Sequence, residues 1–465
     1  MRPVDLLIIG AGPAGMAAAV TARRAELDVL VIDEQPEPGG QIWRGIETVA
    51  ATERGKLLGP TYLGGLSAAE AFRASGAAYE PGSQLWQIEP GFRAFVTKSG
   101  KARIIEARTI LLATGAQERP APFRGWTLPG ILTVGAGQIL LKNAGQVPTK
   151  PVWLAGSGPL MLLYMTQLLK AGGKIGGYLD TMPTGRMASA LRHLPGALRN
   201  MGDLFKGIGW SLALRMSGVR RIRHVTDIEA LGTDRLETIR YRTASGAEEA
   251  VQADTLLVHE GVIPGIHVAL ALGCAVTWRD DQDCYVPTLN AWGESSQPKI
   301  FIAGDGAGIA GANAAALRGE IAALGVAVRL GRITSEGAAE AARPARAKLD
   351  RELALRPFLD ALFRPRRAIF VPDDEVVVCR CEEIAAREIR TMAGLGRPGP
   401  NQVKAFTRAG MGPCQGRQCG YTVSHIISAA QHRPMEDVGF YHIRPPLKPV
   451  TLGELAYLSD EAPRP

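Results

Sequence analysis

The sequence has few cysteines and few aromatic residues, and it lacks any Cys-x-x-Cys pair. Six cysteines and 6% aromatic residues occur in a chain of 465 residues. Without Cys-x-x-Cys the chain does not carry the usual redox disulfide, so we do not expect a disulfide reductase. Cys274 and Cys284, which are separated by nine residues, are expected to be core or surface thiols.

The sequence also lacks the combination of basic and aromatic residues that is typical of nucleic-acid surfaces. The net charge is +8, but residues 343–367 hold eight Lys and Arg against three Asp and Glu. Because no aromatic-rich segment accompanies this basic run, we interpret it as a helical linker that contacts another domain or a partner chain. No nucleic-acid partner is expected.

The N-terminal region has no uninterrupted apolar run. The uncharged stretch Leu6–Ala22 approaches the length of a membrane span, but Gly10, Gly12, Pro13 and Gly15 interrupt it. No transmembrane segment is therefore expected, and no basic start with a small-residue cleavage site indicates secretion. We expect a cytoplasmic protein that is membrane-associated, if at all, through a complex.

Glycine, in contrast, is abundant: the chain has 55 glycines, about 12% against an average near 7%. The first cluster, Gly10–Gly15, lies between the apolar strand Val4–Ile9 and an alanine-rich helix. Asp33 closes a second predicted strand 23 residues after Gly10. A strand, a glycine turn, a helix and an acidic residue at this distance are typical of a dinucleotide-binding fold.

Each residue of this motif has an expected role. Gly10 allows the sharp turn, Gly12 lets a pyrophosphate approach the backbone, and Gly15 lets the helix pack closely on the strand. The amides at the start of the helix face the phosphate charge. Asp33 is expected to accept hydrogen bonds from a ribose diol, with Glu34 as the less favourably placed candidate.

The same pattern returns downstream as a degenerate internal repeat. The apolar segment 152–155 leads into Gly156 and Gly158, and Asp180 follows 24 residues after Gly156. An aspartate there suits a free ribose 2′-hydroxyl. Met161 occupies the position of the third glycine, and its side chain is expected to narrow the pyrophosphate cleft. Binding of NAD(P), binding of another nucleotide and an empty cleft all stay open.

Two later strands end in glycine motifs and are expected to return to the first sheet: Arg108–Gly115 and Lys299–Asp305. The predicted fold class is therefore α/β, with two Rossmann-like dinucleotide-binding domains, the second inserted in the first, plus a small C-terminal iron–sulfur domain. The predicted divisions are 1–119 and 291–335 for the first dinucleotide-binding domain, 120–290 for the inserted NAD(P)-binding-like domain, 336–372 for the basic helical linker, 373–432 for the C-terminal cysteine-containing domain and 433–465 for a tail.

Four cysteines form two close pairs near the C-terminus: Cys379 with Cys381, and Cys414 with Cys419. Four thiolates with this spacing predict a metal site. Paired zinc ligands usually have two to four residues between them, whereas one residue separates Cys379 from Cys381. Because soft thiolates also hold iron–sulfur clusters, we predict a [2Fe–2S] cluster. The turn 410–413 supplies amides that could donate hydrogen bonds to its sulfurs.

Together the glycine motifs resemble the two-dinucleotide-binding flavoprotein superfamily, in which the first site holds FAD. The resemblance places Asp305 at the ribityl or pyrophosphate part of FAD, although it also suits the N-cap of the helix that follows. It places Gly40 and Gln41 near the isoalloxazine. The implied FAD-binding residues are Gly10, Gly12, Pro13, Ala14, Gly15, Asp33, Glu34, Gly40, Gln41, Ala113, Thr114, Gly115, Gly304 and Asp305.

The cysteine pattern resembles the bacterioferritin-associated-ferredoxin type of [2Fe–2S] domain. The whole chain, including the segment 443–455, resembles the α (A) subunits of opine oxidases, D-hydroxyproline dehydrogenase and hydrogen cyanide synthase. This resemblance implies an FAD- and [2Fe–2S]-dependent electron-transfer subunit of a multi-subunit dehydrogenase or oxidase that acts on an amino or imino acid. The implied partners are an electron acceptor and a D-amino-acid-oxidase-like flavoprotein β subunit. A small ferredoxin-like subunit is a further candidate.

Two other functions stay open from the residues alone. Gly156, Gly158 and Asp180 suit a self-contained NADH-dependent flavoprotein reductase, whereas Met161 argues against it. The other is an iron–sulfur regulatory or assembly protein whose flavin fold is structural. The sequence designates no catalytic acid, base or nucleophile, and His259 is expected to be a structural histidine rather than a contact to flavin or substrate.

Overall fold

The computed structural model describes residues 2–458, which contain two five-stranded parallel sheets. The first sheet consists, in spatial order, of Ile300–Ile302, Ile110–Leu112, Leu6–Ile9, Val29–Asp33 and Ala78–Pro81. Its central strands are buried along nearly their whole length, as parallel strands covered on both faces require. The predicted return of two distant strands to this sheet is confirmed.

The second parallel sheet lies in sequence between the two strands that return to the first. Its strands, in spatial order, are Arg221–Arg223, Ile175–Asp180, Val152–Gly156, Leu256–His259 and Ile131–Thr133. The second dinucleotide fold is thus inserted in the first. The predicted α/β class with an inserted domain is confirmed.

Smaller antiparallel sheets surround these two. Two have three strands each: Ser83–Glu89, Arg93–Lys98 and Lys101–Glu106, and Val225–Leu231, Thr238–Thr243 and Glu248–Gln252. Three strand pairs complete the β-structure: Ala116–Glu118 with Val262–Pro264, Val276–Arg279 with Cys284–Pro287, and Val377–Cys379 with Ile384–Ala385.

Helices connect and cover the sheets. Up to the end of the inserted fold they are Pro13–Arg24, Ile46–Val49, Glu53–Leu58, Pro60–Leu63, Gly65–Ala74, Val134–Ala144, Pro159–Lys170, Arg186–Leu191, Leu194–Ala197, Met201–Met216 and His267–Ala271. The later helices are Ala312–Arg329, Ser335–Leu353, Arg356–Leu362, Ala386–Gly394, Pro400–Thr407, Gly420–Gln431, Met435–Val438 and Leu452–Ala456. Short 3₁₀ turns are Leu198–Asn200, Gly304–Ala307 and Arg367–Ile369. No helix in residues 2–458 is long and apolar enough to cross a membrane.

The first helix, Pro13–Arg24, shows how the sequence positions the nucleotide turn. Gly12 is its N-cap and Pro13 its first residue, a position where the missing N–H has no intrahelical partner to lose. The helix packs against Ala312–Arg329 at close range. A Cβ added to Gly319 would lie 2.1 Å from the carbonyl oxygen of Ala14, so only glycine permits this contact.

The predicted basic linker is helical and packs on the rest of the chain. Its long helix, Ser335–Leu353, begins at Thr334, whose hydroxyl accepts a hydrogen bond from the Gly337 amide. Further on, Arg364 binds Asp283 at 2.8 Å, and Arg366 forms a buried ion pair with a glutamate of the inserted fold. Cations of this segment therefore contact the neighbouring domain.

The C-terminal domain shares one hydrophobic core with the end of the inserted fold. Ile263, Trp278 and Tyr285 belong to the same buried cluster as Cys379 and Phe440. This shared core joins residues of the predicted inserted domain to residues of the predicted [2Fe–2S]-binding domain. The predicted domain boundaries are proposals. The predicted tail 433–465 is described as far as residue 458, so residues 459–465 lie outside the described residues.

Candidate functional site

The first glycine turn has the geometry that a bound pyrophosphate requires. Gly10 has φ +105°, and a Cβ there would lie 2.5 Å from the Ala113 carbonyl oxygen. A Cβ on Gly15 would lie 1.8 Å from the Gly10 oxygen. A Cβ on Gly12 would have one non-adjacent neighbour within 4 Å among the described residues, the Cα of Gly40 at 3.7 Å. Gly10 and Gly15 therefore serve close packing, while the space beside Gly12 is open.

The Asp33 carboxylate holds the backbone of this turn through hydrogen bonds. Its Oδ2 accepts a hydrogen bond from the Ala11 amide at 2.6 Å, and its Oδ1 accepts one from the Gln35 amide at 2.7 Å. Burial raises the pKa of Asp33, although both amides favour the charged form. Each oxygen keeps a further lone pair for a ribose diol. The neighbouring Glu34 forms an ion pair with Lys448 of the C-terminal segment.

The structure brings the other implied FAD segments to the same place. Thr114 donates to the Gly265 oxygen at 3.2 Å, and the Gly265 amide donates to the Gly115 oxygen at 2.9 Å. Gly304 has φ +76° and lies against Ala14, where an added Cβ would lie 2.9 Å from the alanine Cβ. Strand ends that are far apart in sequence thus meet at one edge of the sheet, where open α/β sheets bind ligands.

Asp305 shapes the loop before the helix Ala312–Arg329. Its Oδ1 accepts hydrogen bonds from the amides of Ala310 at 2.9 Å and Gly311 at 3.0 Å. Gly311, not Asp305, is the N-cap residue of that helix, and its cap has no side-chain hydrogen bond. Arg318 closes the loop from the other side by donating to the Gly304 oxygen at 3.2 Å.

Sequence reasoning missed a buried lysine beneath the Gly40–Gln41 segment. The Lys142 Nζ donates to the carbonyl oxygens of Gln41 at 3.0 Å and Ile42 at 2.9 Å, and to Gln138 Oε1 at 3.0 Å. Burial lowers the pKa of Lys142 to about 7. The signal available in the sequence was a single lysine within the otherwise uncharged helix Val134–Ala144.

The second glycine turn differs from the first. Gly156 and Gly158 both have positive φ, +137° and +130°. A Cβ on Gly158 would lie 3.3 Å from Cδ2 and Nε2 of His259, so an imidazole lies beside the glycine that faces pyrophosphate in this fold. His259 Nδ1 is 2.7 Å from Glu118 Oε1. The predicted structural hydrogen bonding of His259 is therefore present, within the second cleft. Met161 is fully buried in the main hydrophobic core.

Asp180 is already engaged in an ion pair. It is buried, and its Oδ2 accepts from Arg221 Nε at 3.0 Å and from Nη2 at 2.5 Å. Its Oδ1 accepts from the Met182 amide at 3.1 Å. A ribose diol at this position would have to share the carboxylate with a guanidinium, a feature that the sequence spacing did not reveal.

The four C-terminal cysteines are brought together as two pairs. Cys379 and Cys419 interact directly, and the hydrogen bond between them lowers the pKa of Cys379 to about 6 while it raises the pKa of Cys419. Cys381 interacts with Cys414, and burial raises the pKa of Cys381. In residues 2–458 no three His, Cys, Asp or Glu side chains converge on one metal position. The thiols lie as two interacting pairs.

Glycines of the predicted turn fit tightly around these thiols. The Gly410 amide donates to Cys379 Sγ at 3.4 Å. A Cβ on Gly412 would lie 2.2 Å from the Cys381 Cβ, and one on Gly416 would lie 2.4 Å from the ring of Tyr441. Of the remaining two cysteines, Cys284 lies in the same hydrophobic cluster as Cys379 and Cys419, and Cys274 lies in another.

Those two, Cys274 and Cys284, are free, buried thiols. Burial raises the pKa of Cys274, and it raises the pKa of Cys284 to about 12.

The cysteine segment is hydrogen-bonded directly to the first dinucleotide fold. Gln117, two residues after Gly115, donates to the Arg417 oxygen at 2.9 Å. Arg417 in turn donates to the Leu447 oxygen at 2.9 Å, and the Leu447 amide donates to the Trp86 oxygen at 2.6 Å. Hydrogen bonds thus join the segment between Cys414 and Cys419 to the first dinucleotide fold.

The fold and the first glycine site define an oxidoreductase of the dinucleotide-binding class. Residues 4–331 match the protein family described as pyridine nucleotide-disulphide oxidoreductase. Residues 377–457 match the sarcosine oxidase A3 domain. The structure resembles that of L-proline dehydrogenase from P. horikoshii, with a TM-score of 0.72 at 19% identity, covering 98% of this chain and 79% of that chain. That likeness shows a shared fold.

Curated relatives narrow the class. The chain is 44% identical to the opine oxidase A subunit of Rhizobium meliloti (strain 1021), over 98% of each chain. It is 43% identical to the opine oxidase A subunit of Agrobacterium tumefaciens (strain Ach5), over 98% of this chain and 92% of that protein. Identity to the hydrogen cyanide synthase subunit HcnB of Pseudomonas protegens is 30%, over 96% of each. The chain belongs to the family of opine oxidase A subunits and is an FAD-dependent oxidoreductase.

Proposed function

We propose that this chain is the electron-transfer subunit of a multi-subunit dehydrogenase or oxidase of amino or imino acids, with a substrate of the opine or D-hydroxyproline kind. FAD would bind the first glycine site, and a [2Fe–2S] cluster would bind the four C-terminal cysteines. The relatives are named as subunits of opine oxidase and hydrogen cyanide synthase, which supports a role within a complex.

One observation carries this proposal: the segment between Cys414 and Cys419 is hydrogen-bonded to the strand that follows the flavin motif. The Gln117 side-chain amide donates to the Arg417 carbonyl oxygen at 2.9 Å. This direct connection between the two segments supports electron exchange between two redox groups within one chain. When bound, FAD supplies two-electron chemistry and an iron–sulfur cluster supplies one-electron chemistry.

The donor set fits a two-iron cluster. Cys379 with Cys419 and Cys381 with Cys414 would each supply a pair of thiolates, which is what two iron atoms require. The Gly410 amide donates to one of these sulfurs at 3.4 Å. Hydrogen bonds to sulfur ligands raise the reduction potential of such a cluster, which favours its accepting electrons from reduced flavin.

The second cleft favours the proposed electron-transfer function over a self-contained NADH-dependent reductase. The Asp180 carboxylate is bound by Arg221, and the His259 ring lies beside Gly158. A dinucleotide would have to compete with both. NADH should therefore not bleach the flavin of the purified chain, and bleaching would favour the reductase with NAD(P) at this site.

Substrate oxidation would take place at least partly in a partner chain. We propose a D-amino-acid-oxidase-like flavoprotein β subunit for this role, and beyond it an electron acceptor. A small ferredoxin-like subunit is a further candidate partner. The complex would reside in the cytoplasm.

Two variants separate the two cofactor sites. Gly12→Val should lower FAD content, because a side chain would block the approach of pyrophosphate to the backbone. Cys414→Ser should lower iron and acid-labile sulfide and leave FAD bound, because a hydroxyl is a poorer iron ligand than a thiolate. Cys274→Ser, a buried cysteine outside the cluster, is the matched control. In the reconstituted complex Cys414→Ser should slow turnover while flavin reduction by the amino acid persists.

Two results would overturn these assignments. Stoichiometric zinc without acid-labile sulfide in anaerobically purified wild type would make the cysteine site structural. Unchanged flavin absorbance per chain in Gly12→Val would remove FAD from the first site.

A further inference from the structure

The C-terminal segment, residues 443–458, leaves the cysteine domain and crosses onto the first dinucleotide fold. Ile443 and Leu447 are buried in the hydrophobic cluster of the cysteine domain. The Leu447 amide donates to the Trp86 carbonyl oxygen at 2.6 Å. Val450 then packs against the hydrophobic cluster that contains Trp86. The segment is therefore anchored on both domains.

Between these anchors the segment passes the strand end that carries Asp33. The Lys448 ammonium forms an ion pair with Glu34, the residue that follows Asp33. The side chains of Lys448 and Glu34 are 34% and 42% exposed, so the ion pair lies at the surface. The Gln84 side-chain amide donates to the Pro449 oxygen at 3.4 Å. Consecutive residues of the segment thus contact two different parts of the first fold.

These contacts lie where the adenosine half of a dinucleotide is expected. In this fold the acidic residue that ends the second strand binds the adenosine ribose, and Asp33 has that position. The strand Ala78–Pro81 pairs with it in parallel, with Pro81 opposite Asp33, and Gln84 follows three residues later. Because ligands bind outside the carboxyl ends of parallel strands, an adenosine on Asp33 would lie beside the C-terminal segment.

The loop between the last two predicted ligand cysteines holds the segment in this place. Arg417 of that loop donates to the Leu447 oxygen at 2.9 Å, and Gln415 donates to the Pro446 oxygen. An exposed ion pair by itself contributes little, because ordering two flexible side chains offsets the attraction. Here hydrogen bonds already order the backbone beside Lys448, so its charge is held at a fixed position.

We propose that the C-terminal segment forms one wall of the adenosine end of the first dinucleotide site, with Lys448 as a positioning residue that acts through Glu34. Two adjacent carboxylates, Asp33 and Glu34, would repel a ligand that carries a pyrophosphate. The Lys448 ammonium neutralises the second carboxylate and keeps the segment beside the site. This inference rests on the proposed binding of FAD and deepens it, because it assigns part of the site to residues of the C-terminal domain.

The test compares ligands that contain adenosine with one that lacks it. The full-length chain is freed of its flavin and titrated with FAD, ADP and FMN, the flavins by fluorescence and ADP by calorimetry. Lys448→Glu should weaken the binding of FAD and ADP about tenfold or more, because it places a third negative charge at the site. FMN binding should not change. Lys448→Arg, which keeps the ion pair, should restore most of the affinity for FAD and ADP.

Lys56→Glu is the matched control. Lys56 lies in the same fold and also forms an ion pair with a glutamate, Glu53, and its side chain is 68% exposed. This variant should bind FAD as wild type does. Thermal unfolding of the flavin-free chains establishes that each variant is folded, and Lys448→Ala is the milder substitution if Lys448→Glu is not.

Three results would overturn the proposal. Equal affinities of wild type and Lys448→Glu for FAD and ADP would remove the segment from the site and leave the assignment of FAD intact. An equal loss of FMN and FAD binding in Lys448→Glu would show a general structural role instead of a contact at the adenosine end. Wild type that binds neither FAD nor ADP would overturn both this inference and the proposed FAD site.

Discussion

At the scale of single residues, Lys142 is a buried amine whose pKa burial lowers to about 7. It is 3% exposed and donates three hydrogen bonds, two of them to carbonyl oxygens of the segment that follows Gly40. Its location links the ionisation of one amine to the conformation of the segment expected to face the isoalloxazine.

We expect Lys142→Met to change how stability depends on pH. Burial lowers the folded-state pKa of Lys142 to about 7, whereas the unfolded chain has a pKa near 10.4. Between these values the unfolded state binds more protons, so wild type gains stability as pH rises and loses it towards pH 7. Thermal unfolding from pH 7 to 9 should show wild type gaining about 2 kcal/mol relative to the variant.

Lys56→Met provides the control for this titration, since the side chain of Lys56 is 68% exposed. Its pH profile should run parallel to that of wild type. Parallel profiles for wild type and Lys142→Met would show that the buried amine does not titrate in this range.

At the scale of elements, the linker is attached to the inserted fold by a buried ion pair. Arg366 Nε donates to Glu260 Oε1 at 2.9 Å, and Arg366 Nη1 donates to the Thr226 oxygen at 3.1 Å. Both charged side chains are less than a tenth exposed. A charge at this position is tolerated only because its partner is present.

Arg366→Leu should therefore destabilise the protein by about 3 kcal/mol, because it leaves Glu260 buried without its cation. Thermal unfolding measures the loss. Adding Glu260→Gln should recover part of it, since no charge is then left unpaired. Arg343→Leu, in the same basic segment with a side chain 76% exposed, should change stability by no more than about 0.5 kcal/mol. Equal effects of the two arginine substitutions would contradict a specific role for the pair.

At the scale of the whole molecule, the cysteine domain completes the core of the rest. Trp278 and Tyr285 pack in one cluster with Cys379 and Phe440. The segment after residue 440 then returns to the first fold, where the Leu447 amide donates to Trp86. The first dinucleotide fold contains its own sheet, and the segment after residue 440 covers part of the surface around Trp86.

A chain that ends at residue 372 should consequently aggregate, because it exposes the aromatic cluster around Trp278 and Tyr285. Size-exclusion chromatography with light scattering would detect this. Full-length Cys414→Ser, which keeps the domain, should elute as wild type does. A monodisperse, flavin-containing fragment 1–372 would show instead that the two parts fold independently.

The first glycine site could be predicted from the sequence because its constraints are local. Gly10 needs a positive φ, Gly15 needs contact with the turn beside it, and the distance to Asp33 is set by one helix and one strand. Spacing in the chain also grouped the four C-terminal cysteines, but the structure pairs them across the two sequence pairs, Cys379 with Cys419 and Cys381 with Cys414.

The chain alone did not reveal which groups meet across long distances. Asp180 has the predicted spacing, yet Arg221 from another strand occupies its carboxylate. His259 reaches Gly158 only because two strands end side by side. Pairing between elements is a property of packing, and periodicity cannot supply it.

The sequence by itself determined the α/β class, the two glycine turns and the grouping of four cysteines near the C-terminus, because φ preference, apolar runs and ligand spacing act over short segments. Tertiary structure decided that Gln117 joins the cysteine segment to the flavin fold and that Lys142 lies beneath Gly40. It also decided that apolar side chains of the helix Met201–Met216 face solvent. The physical reason is that burial and long-range hydrogen bonds are set by which surfaces pack together, and residues distant in sequence make up those surfaces.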